Sequence, residues 1–147
     1  MFILGVLLLL ITFSACSSDD QDGLPDISEE TEISQELAWQ IVKTLVLKNE
    51  LSKIDVWVSK NAIQPNTTIE VFYPTELSPD YTSWLFFIDD SPFENWGHSC
   101  RYVYVNVVGG KYIIHEKQSD PPMPLAKDFT PLIKMPIEEW DKWSDSV

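Results

Sequence analysis

Ser83–Asn106 reads SWLFFIDDSPFENWGHSCRYVYVN. Trp84 to Ile88 is an apolar run without strict alternation, which predicts a strand buried on both faces and placed centrally in its sheet. The run breaks at Asp89-Asp90-Ser91-Pro92, where carboxylate side chains are suited to bond the backbone N–H groups that follow them. From Cys100 the chain alternates again: Val103, Val105 and Val107 share one face of a strand, and Tyr102, Tyr104 and Asn106 share the other. Between the two strands lie Trp96, His98, Cys100 and Arg101, most of the chemically versatile side chains in the sequence.

Working outward, Gly109-Gly110 predicts a two-residue hairpin turn into a further strand, Lys111–Lys117. That turn would set Val108 opposite Lys111 and His115 opposite Tyr104. Upstream, Ile54, Val56 and Val58 alternate with Asp55, Trp57 and Ser59, and Thr68–Tyr73 (TIEVFY) is rich in β-branched and aromatic residues, so both are expected as strands. Ser34 is a suitable N-cap for a helix over Gln35–Leu51, with Glu36 complementing its dipole. Leu37, Ile41 and Leu45 form one apolar row and Ala38, Val42 and Val46 the next. Pro121-Pro122-Met123-Pro124 should end the sheet, because proline cannot donate to a ladder. Pro136–Trp143 then reads as a short helix, with Pro at its first position and acids in its first turn. The expected class is α+β: one N-terminal helix packed on an antiparallel sheet of four to five strands, and a short C-terminal helix. That order is similar in topology to cystatin-like folds and to the small propeptide-type domains that fold against proteases.

The chain has 147 residues, 44% of them hydrophobic, which suffices for one modest core. Part of that fraction lies in Phe2–Phe13, an apolar run too short to span about 30 Å of hydrocarbon at ~1.5 Å per residue. It matches the apolar region of a signal peptide over residues 1–15. Phe13-Ser14-Ala15-Cys16 resembles a bacterial lipobox, which implies that Cys16 is lipidated and becomes the mature N-terminus, anchoring the protein to a membrane without spanning it. Residues 16–33 are small and acidic, with Asp19, Asp20, Asp22, Asp26, Glu29, Glu30 and Glu32, and are expected to form a tether. Its opening, Cys16-Ser17-Ser18-Asp19-Asp20, is similar to the acidic signal of surface-exported Bacteroidota-type lipoproteins, which implies an outer-membrane, surface-exposed location. The organisation expected is therefore signal peptide (1–15), lipidated tether (16–33), α+β domain (34–120) and Pro-rich tail (121–147). A net charge of −13, with no basic cluster, argues against nucleic acid as a partner.

With Cys16 lipidated, Cys100 is the one remaining thiol, so no intrachain disulfide is expected. An exposed lone thiol would be a liability in an oxidising envelope, so Cys100 should be buried. His98 and Cys100 are two apart on a strand and share a face, and His115 is a second candidate base, but a catalytic thiol is more usually presented at a helix N-terminus. His98-Ser99-Cys100 offers two metal-ligand types without the paired spacings of zinc sites. Asp89, Asp90, Glu94 and Asn95 offer oxygens without the glycine of a calcium-binding loop. Accordingly no catalytic residue, metal or cofactor is assigned. His98, Cys100, Arg101 and His115 are read as structural, and Trp57, Trp84, Trp96, Tyr102 and Tyr104 as core before platform. Asp89 and Asp90, adjacent on a strand, should point to opposite faces.

The central stretch and the later Pro121-Pro122 also resemble a segment of exported Bacteroidota-type proteins. Asp89, Pro92, Asn95, Trp96, His98, Cys100 and Arg101 carry the likeness, and Ser99 stands where the pattern has proline. The likeness implies no activity. The expected function is a lipid-anchored, non-catalytic binding or interaction module with a protein or glycan ligand, its binding rim at Asp90, Glu94, Asn95 and Trp96. An inhibitor or propeptide-like domain is the alternative, and a small Cys/His hydrolase the third reading.

Overall fold

In a computed structural model of the chain, the structure describes residues 23–68, 78–94, 97–119 and 125–135. Five strands form one antiparallel sheet: β1 (Asp55–Ser59), β2 (Ser83–Asp89), β3 (His98–Asn106), β4 (Tyr112–Ser119) and β5 (Phe129–Ile133). Their spatial order is β4-β3-β2-β1-β5. β2 is therefore central, as its unbroken apolar run predicts. Both its faces are buried: Phe86 and Ile88 pack under the helix with Val56, Val58, Val103 and Val105. Leu85 and Phe87 pack on the opposite face with Cys100, Tyr102, Tyr104 and Phe129. The α+β class with one helical segment against an antiparallel sheet is what the sequence leads one to expect.

The helical segment departs from the single α-helix expected over Gln35–Leu51. α1 covers Gln35–Ile41, capped by the Ser34 hydroxyl, which accepts from the Leu37 N–H at 3.2 Å. A π-helical segment, Val42–Leu47, follows directly, with the Lys48 N–H bonded to the Lys43 carbonyl. Lys48 then takes a positive φ of 50° and ends the helix. A physical reason lies in packing. Val42 and Leu47 are both fully buried. In an α-helix, at ~100° per residue, residues five apart lie roughly 140° apart around the axis. The wider π turn, with its i→i+5 bonds, brings them to the same side. Leu45 and Val46, expected in the core rows, are only half-buried.

The segment before α1 was expected to be a solvated tether as far as Ile33. Its described part lies against the domain instead. Leu24 and Ile27 pack on the core and Ile33 is buried within it. The Ile33 N–H bonds the Val107 carbonyl, the Gly109 N–H bonds the Thr31 carbonyl, and the Trp84 indole donates to the Ile33 carbonyl at 2.9 Å. Three spaced aliphatic residues, with backbone partners waiting in the β3–β4 loop, outweigh the acidic composition around them.

That loop also corrects the expected hairpin register. Asn106, not Val108, faces Lys111, through a 2.8 Å bond from the Asn106 N–H to the Lys111 carbonyl. His115 consequently pairs with Tyr102, and Ile113 with Tyr104. Gly109 and Gly110 have φ of 73° and 64°, and a Cβ on Gly109 would come within 2.9 Å of the Glu29 carbonyl oxygen. The glycines thus serve a four-residue loop over which the N-terminal segment passes closely, not a minimal turn.

A further correction concerns residues 121–147, expected to lie beyond the sheet. A short helical turn, α2 (Leu125–Asp128), leads into β5, which pairs with β1. Pro131 lies within β5 opposite Trp57. Proline is tolerated there because β5 is an edge strand and the ladder is irregular between Val56 and Trp57. The strand expected at Thr68–Tyr73 and the helix expected at Pro136–Trp143 lie outside the described residues. Among the described residues no helix is long and apolar enough to cross a membrane.

Tyr104 gives a test of the second core. It is 1% exposed, and among the described residues its hydroxyl has no hydrogen-bond partner. Burial pushes the phenol well above its ordinary value. A buried unsatisfied hydroxyl costs about 1–3 kcal/mol, so Tyr104→Phe should leave stability unchanged or raise it by up to about 1 kcal/mol in urea denaturation.

Candidate functional site

The ends of β1, β2 and β3 place two polar groups on opposite faces of the sheet. Adjacent residues of a strand point to opposite faces, and Asp89 and Asp90 divide between the two groups as their spacing requires.

On the face away from the helix, Asp89 pairs in register with Cys100, and His98 lies two residues before Cys100 on the same side of β3. The His98 Nε2 and Asp89 Oδ1 atoms are 2.8 Å apart. The same Oδ1 accepts the Ser91 N–H at 2.9 Å, the Asx-type bond that the Asp-Asp-Ser-Pro break suggests. Ligand atoms of Asp89, His98 and Cys100 all lie within 4.8 Å of one another. Asp89 and His98 are each 5% exposed and Cys100 0%, so the expectation of a buried thiol holds. Asp55 stands opposite Asp89 on β1 and accepts the Met135 N–H at 2.6 Å. Burial pushes the Asp89 carboxyl up; the Ser91 N–H and His98 pull it back, and the charge of Asp55 adds to the rise.

On the helix side, Arg101 extends between three acids. Its Nε donates to Asp90 Oδ1 at 2.9 Å, and its Nη2 donates to Glu50 Oε2 at 2.8 Å. Glu116 faces Arg101 across the β3–β4 pair. With Lys53, Ile54 and Ser99 these residues line an open cleft of about 410 Å³. Burial pushes the Asp90 carboxyl up, and its bonds to Arg101 offset this only in part.

The expected site residues therefore separate. Asp90 and Arg101 share the cleft, while His98 and Cys100 lie through the sheet from it. Glu94 is exposed on the Ser91–Glu94 turn, whose Ser91 N–H bonds Asp89, and does not line the cleft. His115 sets its ring edge-on to Tyr104 at 5.9 Å and stands outside the Asp89–His98–Cys100 group. Cys16, Asn95 and Trp96 lie outside the described residues. Tyr102 and Tyr104 are buried, and Trp57 and Trp84 half-buried against the two cores, so these four do not form an exposed aromatic platform. Sequence reasoning missed Asp89 as the third member of the His98 group, and Glu50, Lys53 and Glu116 as cleft walls. The signal for Asp89 was cross-strand register, which spacing along one strand does not reveal.

Comparison with known proteins finds no matching family model, no matching curated protein and no matching solved structure.

The three raised carboxyls carry a pH prediction. Asp55, Asp89 and Asp90 all hold their protons more tightly folded than unfolded. In the window just above the ordinary value of 3.8, the folded state binds more protons than the unfolded state. Stability from these groups is therefore present at the acid end of that window and lost as pH rises through it. Asp89→Asn should flatten the fall measured by urea denaturation across that window.

Proposed function

We propose that the protein is a lipid-anchored cell-envelope binding module that holds a polar ligand, protein or glycan, in the Arg101 cleft and performs no catalysis. The observation that carries this reading is the guanidinium of Arg101, fixed by bonds to Asp90 and Glu50 in the lining of an open cleft. A planar donor held in one orientation loses little freedom when a ligand arrives. The cleft's ~410 Å³ falls within the range of small-ligand and peptide side-chain pockets. Its walls mix Lys53 and Arg101 with Glu50, Asp90 and Glu116, which suits a ligand offering both hydroxyl or amide donors and acceptors. Anchoring through Cys16 follows from the lipobox-like sequence, and the acidic residues after it keep the domain off an anionic surface.

The full chain displayed on glycan and peptide arrays should bind a defined subset, and Arg101→Ala should weaken that binding at least about tenfold, equal to ~1.4 kcal/mol. Ligands retained equally by Arg101→Ala would exclude the cleft. Mass spectrometry of the mature chain should find residues 1–15 removed and Cys16 acylated, and a mature N-terminus without acyl chains on Cys16 would exclude the anchor.

A small Cys/His hydrolase is the second reading, favoured by the Asp89–His98 contact beside Cys100. It requires a sulfur within reach of substrate, and the complete burial of Cys100 supports the binding module instead.

A further inference from the structure

From the cross-strand cluster on the other face of the sheet we infer that Asp89, His98 and Cys100 form a three-ligand binding site for a zinc-like divalent cation. The three side chains supply the oxygen, nitrogen and sulfur donors that such a borderline-soft ion accepts. They come from the paired ends of two neighbouring strands, with Asp89 and Cys100 in register and His98 on the same face. Their donor atoms lie within 4.8 Å of one another and are buried.

Zinc bonds nitrogen and oxygen at about 2.0–2.2 Å and sulfur at about 2.3 Å, so ligand atoms around it stand roughly 3.3–3.6 Å apart. The Asp89–His98 contact of 2.8 Å would open by about half an ångström, and separations of up to 4.8 Å would close by roughly 1.2–1.5 Å, within reach of side-chain rotation. Bound through Nε2, His98 stays a neutral imidazole with its proton on Nδ1, and the thiol proton of Cys100 is released to solvent as the thiolate binds the ion. Ser91, whose N–H already bonds Asp89 Oδ1, fixes the carboxylate for this role. Asp55, across the β1–β2 pair, adds a second negative charge that the cation offsets.

A cation here would pin β2 to the start of β3, closing the loop between them. The sequence alone shows two ligand types without paired spacing, because the third ligand arrives through strand register.

Cobalt(II), a spectroscopic stand-in for zinc, tests the site in the full chain after chelator treatment. The expected result is one cobalt per chain with a thiolate-to-cobalt charge-transfer band in the near ultraviolet, displaced by zinc. Cys100→Ser should abolish that band, and His98→Gln should weaken binding at least about 100-fold. A variant that fails to fold by circular dichroism is replaced by a measurement on the unaltered chain. There, zinc should raise the melting temperature and slow alkylation of Cys100, mapped by peptide mass spectrometry. Cobalt bound without a charge-transfer band, or binding unchanged in both variants, would overturn the site. So would a melting temperature and alkylation rate indifferent to zinc. None of these readouts involves the Arg101 cleft, so the metal site and the binding reading fail separately.

Discussion

Phe86→Ala is expected to destabilise the domain by about 3–5 kcal/mol, a large share of the roughly 5–15 kcal/mol typical of native domains. Phe86 lies in the central strand and is completely buried. It pairs with Val58 on β1 and Val103 on β3, and it stacks on Trp39 of α1 with ring centroids 6.1 Å apart. One side chain thus joins the helix to three strands. Truncation removes the transfer free energy of the ring and leaves a cavity that neighbours on a hydrogen-bonded sheet cannot close. Half-buried Leu45, which joined the core rows only on the α-helical reading, should cost clearly less as Leu45→Ala. Urea denaturation of the two variants checks the contrast. Equal losses would mean that the helix packs with the α-helical register expected from the sequence.

His98→Ala is expected to cost about 3–5 kcal/mol at neutral pH in the presence of chelator, because it strips the side-chain partner from a buried carboxylate. Asp89 would retain the Ser91 N–H, but burial and the charge of Asp55 both act against its ionised form. Adding Asp89→Asn removes the charge that the first change strands. The double variant should therefore recover roughly 1–3 kcal/mol relative to His98→Ala, a coupling within the range for residues in direct contact. The loss in His98→Ala should shrink as pH falls toward the ordinary carboxylate range, since a protonated Asp89 no longer needs the imidazole. Additive effects in the double-mutant cycle would show that the 2.8 Å contact carries no energy.

Much of this architecture can be read from particular residues. The unbroken apolar run at Trp84–Ile88 marks a strand buried on both faces, and alternation at Tyr102–Val105 assigns each residue to the correct side. Ser34 as helix cap also follows from local chemistry. Four features did not follow, each for a tertiary reason, the first being that Leu24, Ile27 and Ile33 hold the acidic N-terminal segment against the core. The π-helical segment exists because Val42 and Leu47 both find room in the core, which α-helical periodicity cannot anticipate. β5 tolerates Pro131 because it occupies an edge, and edge position is a property of the assembled sheet. The hairpin register moved because Gly109 and Gly110 accommodate the passing backbone of Glu29, not only a turn.

The candidate site was legible by the same measure. Asp90 and Arg101 were visible as charged residues flanking the loop, and His98 and Cys100 as a pair sharing a strand face. Their grouping was not. Asp89 joins His98 and Cys100, and Glu50 and Glu116 join Arg101, through strand pairing and helix placement that no local spacing encodes.

The central claim is that Cys100 and His98 are internal fastenings, and that recognition takes place at the opposite face. The reactivity of Cys100 in the native, membrane-extracted protein tests it most directly, with alkylation followed by peptide mass spectrometry so that Cys100 is read separately from Cys16. Cys100 should react only at the rate of unfolding and become fully reactive in urea. Rapid, stoichiometric labelling of Cys100 in the folded protein would contradict this and favour the Cys/His hydrolase over the binding module.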